Sequence, residues 1–164
     1  MTYRVTDTVA GSQAIAENST TQKHPLGTVV RATDPTYGEG EFVYLKGLDT
    51  TTVGFWVTYA VTWQSAVATS AVNTPVPHAV AMSACVTGEY GWYQISGMAV
   101  ASKALATSLA AAATIATASG ETIASATTNT LEGALVAVVA SANTTANVLT
   151  VQVCIDRPAG PSGT

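Results

Sequence analysis

The chain has 164 residues, of which 48% are hydrophobic and only 10% charged, and its formal net charge is −4. The length fits one domain. Its six basic residues form no cluster, which excludes a nucleic-acid-binding surface, because phosphates are neutralised by grouped Lys and Arg. No apolar run approaches the ~20 residues of a membrane span. So low a charge is unusual for a free monomer and indicates that other protein covers much of the surface.

The N-terminal residues show no sustained periodicity of either kind. Residues 1–27 are crowded with polar side chains, which predicts an extended arm with nothing of its own to pack on, so that something else must order it or it stays mobile. The first residues, MTYRVTDTVAG, also lack the apolar segment of a secretory signal, so we expect synthesis inside the cell. A β domain is predicted over residues 28–158 and a short flexible tail over 159–164.

From Thr28 onward the pattern is that of short strands. TVVRA and EFVYLKG are separated by the turn-forming TDPTYGEG. TVGFWVTYAVTW alternates and predicts one strand with a core face and a half-exposed face, Trp56 lying opposite Phe55, Val57 and Trp63. PHAVAMSACV is apolar on both faces, as in a buried strand, and is predicted to form a hairpin with GWYQISGMAV.

The Ala- and Thr-rich stretch over residues 101–120 fits two interpretations. SKALATSLAAAA has the composition of a three-turn helix, but its apolar residues form no stripe, which favours a strand with loops. ALVAVVASA and NVLTVQVCID bracket NTTA and predict a closing hairpin, with Leu149, Val151, Val153 and Ile155 on one face. The sequence therefore predicts an all-β fold: a single β-sandwich or barrel-like domain of about eight or nine short strands with an extended N-terminal arm.

No catalytic or metal-binding pattern stands out. His24 and His78 both sit beside proline, and the nucleophile motif G-x-S-x-G is absent, so we predict no catalytic residue and no enzyme activity. Cys85 and Cys154 fit no metal pattern and are predicted to be buried thiols, with a disulfide between two strands as the alternative.

The densest group of carboxylates lies in the loop DPTYGEGE. Asp34, Glu39 and Glu41 would suit a cation site or a hydrolytic pair, but Ca²⁺ needs six or more oxygen ligands and the other acids are scattered. A solvated hairpin loop is therefore the favoured interpretation. We expect no metal and no cofactor.

The segment GEYGWYQISG concentrates aromatic residues in a chain that has few of them. On an alternating strand Trp92 points opposite to Tyr93, so we expect one ring in the core and the other facing out or meeting a neighbour. Exposed Trp and Tyr rings bind sugars and also form subunit contacts. The alternative is that both rings only brace the fold.

Two blocks of the sequence resemble a family of tailed-bacteriophage head proteins. HPLGTVVRATDPTYGEGEFVYLKGL (residues 24–48) and PVPHAVAMSACVTGEYGWYQISGMAV (residues 75–100) are similar to the decoration, or cement, proteins on the outside of the capsid. VLTVQVCIDRP is also similar, whereas the first 23 residues and residues 101–147 match only loosely.

The resemblance implies a non-enzymatic virion protein, made in the host bacterial cytoplasm, that binds the major capsid protein from outside, commonly as a homotrimer. It implies no cofactor and no catalytic residue. We expect residues 1–25 to add a strand to a neighbouring subunit, with Tyr3 and Arg4 as anchors. The candidate capsid or subunit contacts are Tyr3, Arg4, His24, Pro25, Tyr37, Trp92 and Tyr93. The alternative function is a β-sandwich module that binds glycans through Trp92, Tyr93 or Trp63.

Overall fold

The computed structural model describes residues 4–5, 13–69, 75–104, 109–124, 130–137 and 150–160. All regular secondary structure in these ranges is β-strand, which confirms the all-β class. The described residues form twelve strands rather than the predicted eight or nine. The strands are β1 (Arg4–Val5), β2 (Asn18–Ser19), β3 (Val29–Asp34), β4 (Gly38–Gly47), β5 (Trp56–Tyr59), β6 (Gln64–Val67), β7 (His78–Ala81), β8 (Tyr90–Ser102), β9 (Ile115–Ala118), β10 (Glu121–Ala124), β11 (Glu132–Val136) and β12 (Thr150–Ala159).

The first half of the long strand β8 belongs to a closed ring of five strands, here called the first barrel. β8 pairs antiparallel with β4 and with β7, β7 pairs with β5 and β5 with β6. A short parallel pairing of β6 with β4 closes the ring. Closure removes the free edges of these strands and encloses a core. The interior residues are Val43, Leu45, Val57, Ala79, Ala81, Cys85, Tyr93 and Ile95.

The second half of β8 belongs to another ring, here called the second barrel. β8 pairs with β12, β12 with β11, and β9 with β10. Single bridges complete the circuit, from Thr114 to Leu135 and from Lys103 to Thr122. The core of this part combines alanines with Val, Leu and Ile side chains, and its largest side chain is that of Trp56, which leaves β5 on the side opposite Val57.

The prediction that TVGFWVTYAVTW forms a single strand is wrong, because a turn interrupts it. β5 ends at Tyr59, and β6 begins at Gln64 after a tight turn in which the Trp63 N–H donates to the Ala60 carbonyl oxygen at 2.9 Å. Val61 at the turn is 91% exposed, and Trp63 has a φ of +55°. The alternating pattern continues through the turn because the turn contains neither glycine nor proline, the residues that normally mark one.

The predicted hairpins of β3 with β4 and of β7 with β8 are confirmed by their antiparallel pairings. β11 and β12 also pair antiparallel, but the link NTTA lies outside the described residues, so the closing hairpin stays a prediction. The Ala- and Thr-rich stretch supplies the end of β8 and all of β9, so its described part is strand and loop; residues 105–108 lie outside the described ranges. Val151, Val153 and Ile155 are buried on one face as predicted, and Leu149 lies outside the described residues.

Residues 13–27 pack on their own chain, so the expectation that the arm has nothing of its own to pack on is wrong for them. β2 pairs with β8 at Gly91, and Ile15 and His24 are buried. The outer faces of β4 and β8 are apolar, and this segment covers them. The buried members of this third cluster are Ile15, Val30, Ala32, Phe42, Tyr44, Met82 and Trp92.

The predicted boundaries of arm, domain and tail remain predictions. β12 continues to Ala159, beyond the proline at which the sequence predicts its end, and the Gly160 N–H donates to the Val76 carbonyl oxygen at 3.0 Å. Residues 161–164 lie outside the described part of the chain.

Candidate functional site

The two rings of GEYGWYQISG point to opposite sides of β8, as alternation requires, but both are buried. Tyr93 lies inside the first barrel, where its hydroxyl accepts a hydrogen bond from Ser65 Oγ at 3.0 Å, and burial raises the pKa of its phenol. Trp92 lies on the outer face beneath residues 13–27. The expectation that one ring faces outward is therefore wrong, because the arm segment covers it. Neither ring offers a surface to a sugar or a partner.

Gln13 organises the polar contacts of this covering segment. Its carbonyl oxygen accepts a hydrogen bond from Trp92 Nε1 at 3.0 Å, and its side-chain Oε1 accepts one from the Tyr44 hydroxyl at 3.0 Å. Its Nε2 donates to the carbonyl oxygens of Glu17 at 2.6 Å and Tyr90 at 3.3 Å. A buried amide with all these partners satisfies polar groups that would otherwise be costly. Sequence reasoning missed Gln13, since nothing around it in the sequence marks a glutamine as buried.

His24 is a buried part of the same network rather than a surface contact. Its Nε2 accepts a hydrogen bond from the Gln13 backbone N–H at 3.2 Å. The ring lies edge-on to Tyr44, with centroids 5.1 Å apart, and 5.2 Å from the Trp92 ring. Burial lowers the pKa of His24 below its ordinary value, which favours the neutral ring that this hydrogen bond requires.

Of the predicted contact residues, Arg4, Pro25 and Tyr37 are accessible, and Tyr3 lies outside the described residues. Arg4 pairs with Thr33, next to the turn that carries the half-buried Tyr37. Asp34 shapes this turn, since its carboxylate accepts the N–H groups of Thr36 at 2.8 Å and Tyr37 at 3.0 Å. Arg4 and Tyr37 therefore lie at one end of the β3–β4 hairpin, and we call this end the hairpin tip.

The acidic loop forms a turn and an ion-pair cluster. Asp34 is buried as the turn cap, whereas Glu41 is held by Arg31 Nε at 3.3 Å and by Arg157 at 2.7 Å. Glu41 and the two arginines, together with Glu39, Ser96 and Asp156, line a polar cleft of about 430 Å³. Both arginines are well exposed, so each ion pair adds little stability. The sequence did not indicate Arg157, because only the strand register brings it near Glu41.

Arg157 itself has a backbone conformation that is uncommon for arginine, with a φ of +47°. It lies within an irregularity of β12 opposite Gly133, because Ala134 pairs with Ile155 whereas Glu132 pairs with Ala159, so β12 has extra residues at this point. This irregularity turns Arg157 toward the cleft.

Both cysteines are free thiols, so the alternative of a disulfide is wrong. Cys85 is buried in the first barrel as expected, but Cys154 is exposed on β12. Among the described residues, no group of three or more His, Cys, Asp or Glu side chains is placed to hold a metal ion. The same part of the chain contains no helix long and apolar enough to span a membrane.

No protein-family model matches the chain, and no curated protein matches it. The resemblance to phage head proteins therefore stays an expectation based on the two sequence blocks.

Proposed function

We propose that the chain is a virion structural protein that binds the outer surface of a bacteriophage capsid and stabilises the head. Its partners are the major capsid protein and further copies of the chain in a homotrimer. The activity is mechanical rather than catalytic: many copies, each with modest contacts, add up to a large stabilisation of the lattice. Binding that favours the assembled head over its free subunits also shifts the equilibrium toward the head by mass action.

The observation that carries the proposal is the edge of the large sheet at β1 and β3. Among the described residues, β1 is two residues long and pairs with Ala32 and Thr33, so its described part covers a fraction of β3. Val29 is 44% exposed at the other end of this strand. A partly covered strand edge is a position where a neighbouring chain can add a strand. The accessible candidates Arg4 and Tyr37 lie beside it at the hairpin tip.

The burial of Gln13, Ile15 and His24 changes how the arm should be tested. Removal of residues 1–25 would strip the cover from Trp92 and Tyr44 and would confuse binding with folding. Deletion of residues 1–11 removes β1 but leaves Gln13 and its hydrogen bonds in place.

The experiment mixes purified protein with undecorated heads of the phage that encodes it and measures co-sedimentation. We expect full-length protein to bind, and both the 1–11 deletion and the Tyr37→Ala variant to bind at least tenfold more weakly, since each removes part of the proposed contact. Leu135→Ala is the matched control, because Leu135 is 45% exposed on β11 at the opposite end of the strand order. Failure of the full-length protein to bind would reject the function, and unchanged binding of both variants would reject this surface.

Glycan binding remains the second candidate, and Trp63 is the aromatic residue on which it depends. This ring is 37% exposed, lies 6.1 Å from the Tyr59 ring in a stacked arrangement, and packs closely over Gly27. A glycan titration followed by tryptophan fluorescence tests it. A saturable change that is lost in Trp63→Phe, but kept in the 1–11 deletion, would favour glycan recognition over capsid contact.

A further inference from the structure

His24 ties the two ends of the covering segment, residues 13–27, together over the Tyr44 and Trp92 rings, through a hydrogen bond with Gln13 that only the neutral imidazole can make. A backbone N–H points at Nε2, so this nitrogen must carry its lone pair rather than a proton. A proton added at Nε2 would leave two N–H groups facing each other. The hydrogen bond would be lost, and a charge would arise on a ring that is 6% exposed.

The charges around the ring do not offset this cost. The charged and titratable groups on the elements packed against it are Glu17 and Lys23 in the segment, Tyr44 and Lys46 in β4, and Glu89 and Tyr90 at the start of β8. The Glu89 carboxylate accepts hydrogen bonds from Asn18 Nδ2 and from the Val86 N–H. No carboxylate of the described residues is hydrogen-bonded to His24. The Tyr44 and Trp92 rings attract a cation weakly, but they also keep water away from it.

Loss of the hydrogen bond between Gln13 and His24 affects the whole segment, because Gln13 also makes the hydrogen bonds that hold the segment to β4 and β8. Its backbone N–H binds His24 while its carbonyl and side chain bind Trp92, Tyr44 and Tyr90. Displacement of Gln13 therefore removes the partners of the Trp92 indole N–H and the Tyr44 hydroxyl together. The apolar cluster below would then be uncovered.

We propose that His24 is an acid-sensitive latch, which holds residues 13–24 against the barrel at neutral pH and releases them when Nε2 is protonated. The latch does not depend on the proposed function, since it follows from contacts within one chain. In acid, the released segment would expose the aromatic face formed by Tyr44 and Trp92. The protein would thus present a different surface in acid from the one that it presents at neutral pH.

The sign of the effect follows from proton linkage. In the released segment His24 has the ordinary histidine pKa of 6.5, whereas in the closed state burial lowers its pKa. The closed state is therefore most stable above pH 6.5, and it becomes less stable as the pH falls below that value. If the closed state excludes the proton, the opening constant of the segment rises about tenfold between pH 7.5 and pH 5.5.

Hydrogen exchange of the full-length protein, read by mass spectrometry on peptides from residues 13–24, measures this opening constant. Exchange times are scaled for the intrinsic effect of pH. We expect the tenfold rise in the natural protein and a flat response in His24→Gln, whose side-chain oxygen can accept the Gln13 N–H but cannot be protonated. The matched control is His78→Asn, which removes the other buried histidine and should keep the rise.

Equal protection at both pH values, or a rise that persists in His24→Gln, would overturn the proposal. Should His24→Gln fail to fold, the imidazole of His24 is titrated in the natural protein by NMR. A pKa at or above 6.5 would overturn the latch, because protonation could not then favour release.

Discussion

Gly97 lies in β8, the strand that the two barrels share, and allows β8 to pair with both β4 and β12. It lies where pairing passes from β4 to β12, next to a register shift, and its φ is +99°. A Cβ at this position would overlap the carbonyl oxygen of Glu39. Only glycine meets both requirements, since it tolerates the left-handed backbone and lets β4 approach.

We expect Gly97→Ala to cost about 3 kcal/mol of unfolding free energy, since left-handed strain adds to overlap. Gly88→Ala is the matched control: Gly88 has a φ of +90°, and a Cβ there would meet no atom within 4 Å, so it should lose only about 1 kcal/mol. Urea denaturation of both variants provides the comparison. Equal losses would mean that the close approach to Glu39 contributes nothing.

At the scale of elements, short-range sequence patterns predicted several strands and their buried faces correctly. The predictions were wrong where a turn lacks its usual residues or where burial depends on residues distant in the sequence. Alternation in β12 placed Val151 and Val153 on the buried face correctly. The turn between β5 and β6 was missed because its residues carry no turn signal, and Trp63 adopts its positive φ without being glycine. We expected only one of the Trp92 and Tyr93 rings to be buried. Both are buried, because residues 13–27 cover Trp92, and no local sequence pattern indicates that they do so.

The second barrel depends on one hydrogen bond that sequence patterns do not reveal. Trp56 Nε1 donates to Thr122 Oγ1 at 2.9 Å, and both residues are fully buried, so β5 of the first barrel is joined to β10 of the second. This bond lies beside the core of the second barrel, where Trp56 packs with alanines and with Val, Leu and Ile side chains that offer no acceptor to its indole N–H.

We expect Thr122→Val to destabilise the protein by about 1–3 kcal/mol, because it keeps the shape but leaves the indole N–H buried without an acceptor. Thr117→Val is the control on the adjacent strand, since the hydrogen bond from its hydroxyl to the Thr69 carbonyl oxygen is long, at 3.4 Å. Thermal unfolding of the two variants, with Trp56→Phe in each background, measures the coupling. Additive losses from Trp56→Phe and Thr122→Val would contradict the joint role.

At the scale of the whole molecule, the surface has few charged residues and several exposed apolar side chains. Charged residues make up 10% of the chain, well below the ~25% of an ordinary soluble protein. Seven large apolar side chains of the described residues are more than a third exposed: Val29, Leu48, Val53, Val61, Trp63, Val86 and Leu135. A charge this low is unusual for a monomer that must stay dispersed, and it is the observation that favours coverage by partners.

The homotrimer that the resemblance implies predicts a mass by light scattering close to three times the 16.6 kDa of one chain. Because apolar contacts rather than ion pairs would hold the subunits, the trimer should persist when salt is raised, since added salt screens only the charges. Chromatography with light scattering at low and high salt tests both parts. A monomer under both conditions would contradict the trimer and leave the low charge without this explanation, and dissociation at high salt would place the contact at charged groups such as the Arg31–Glu41–Arg157 cluster instead.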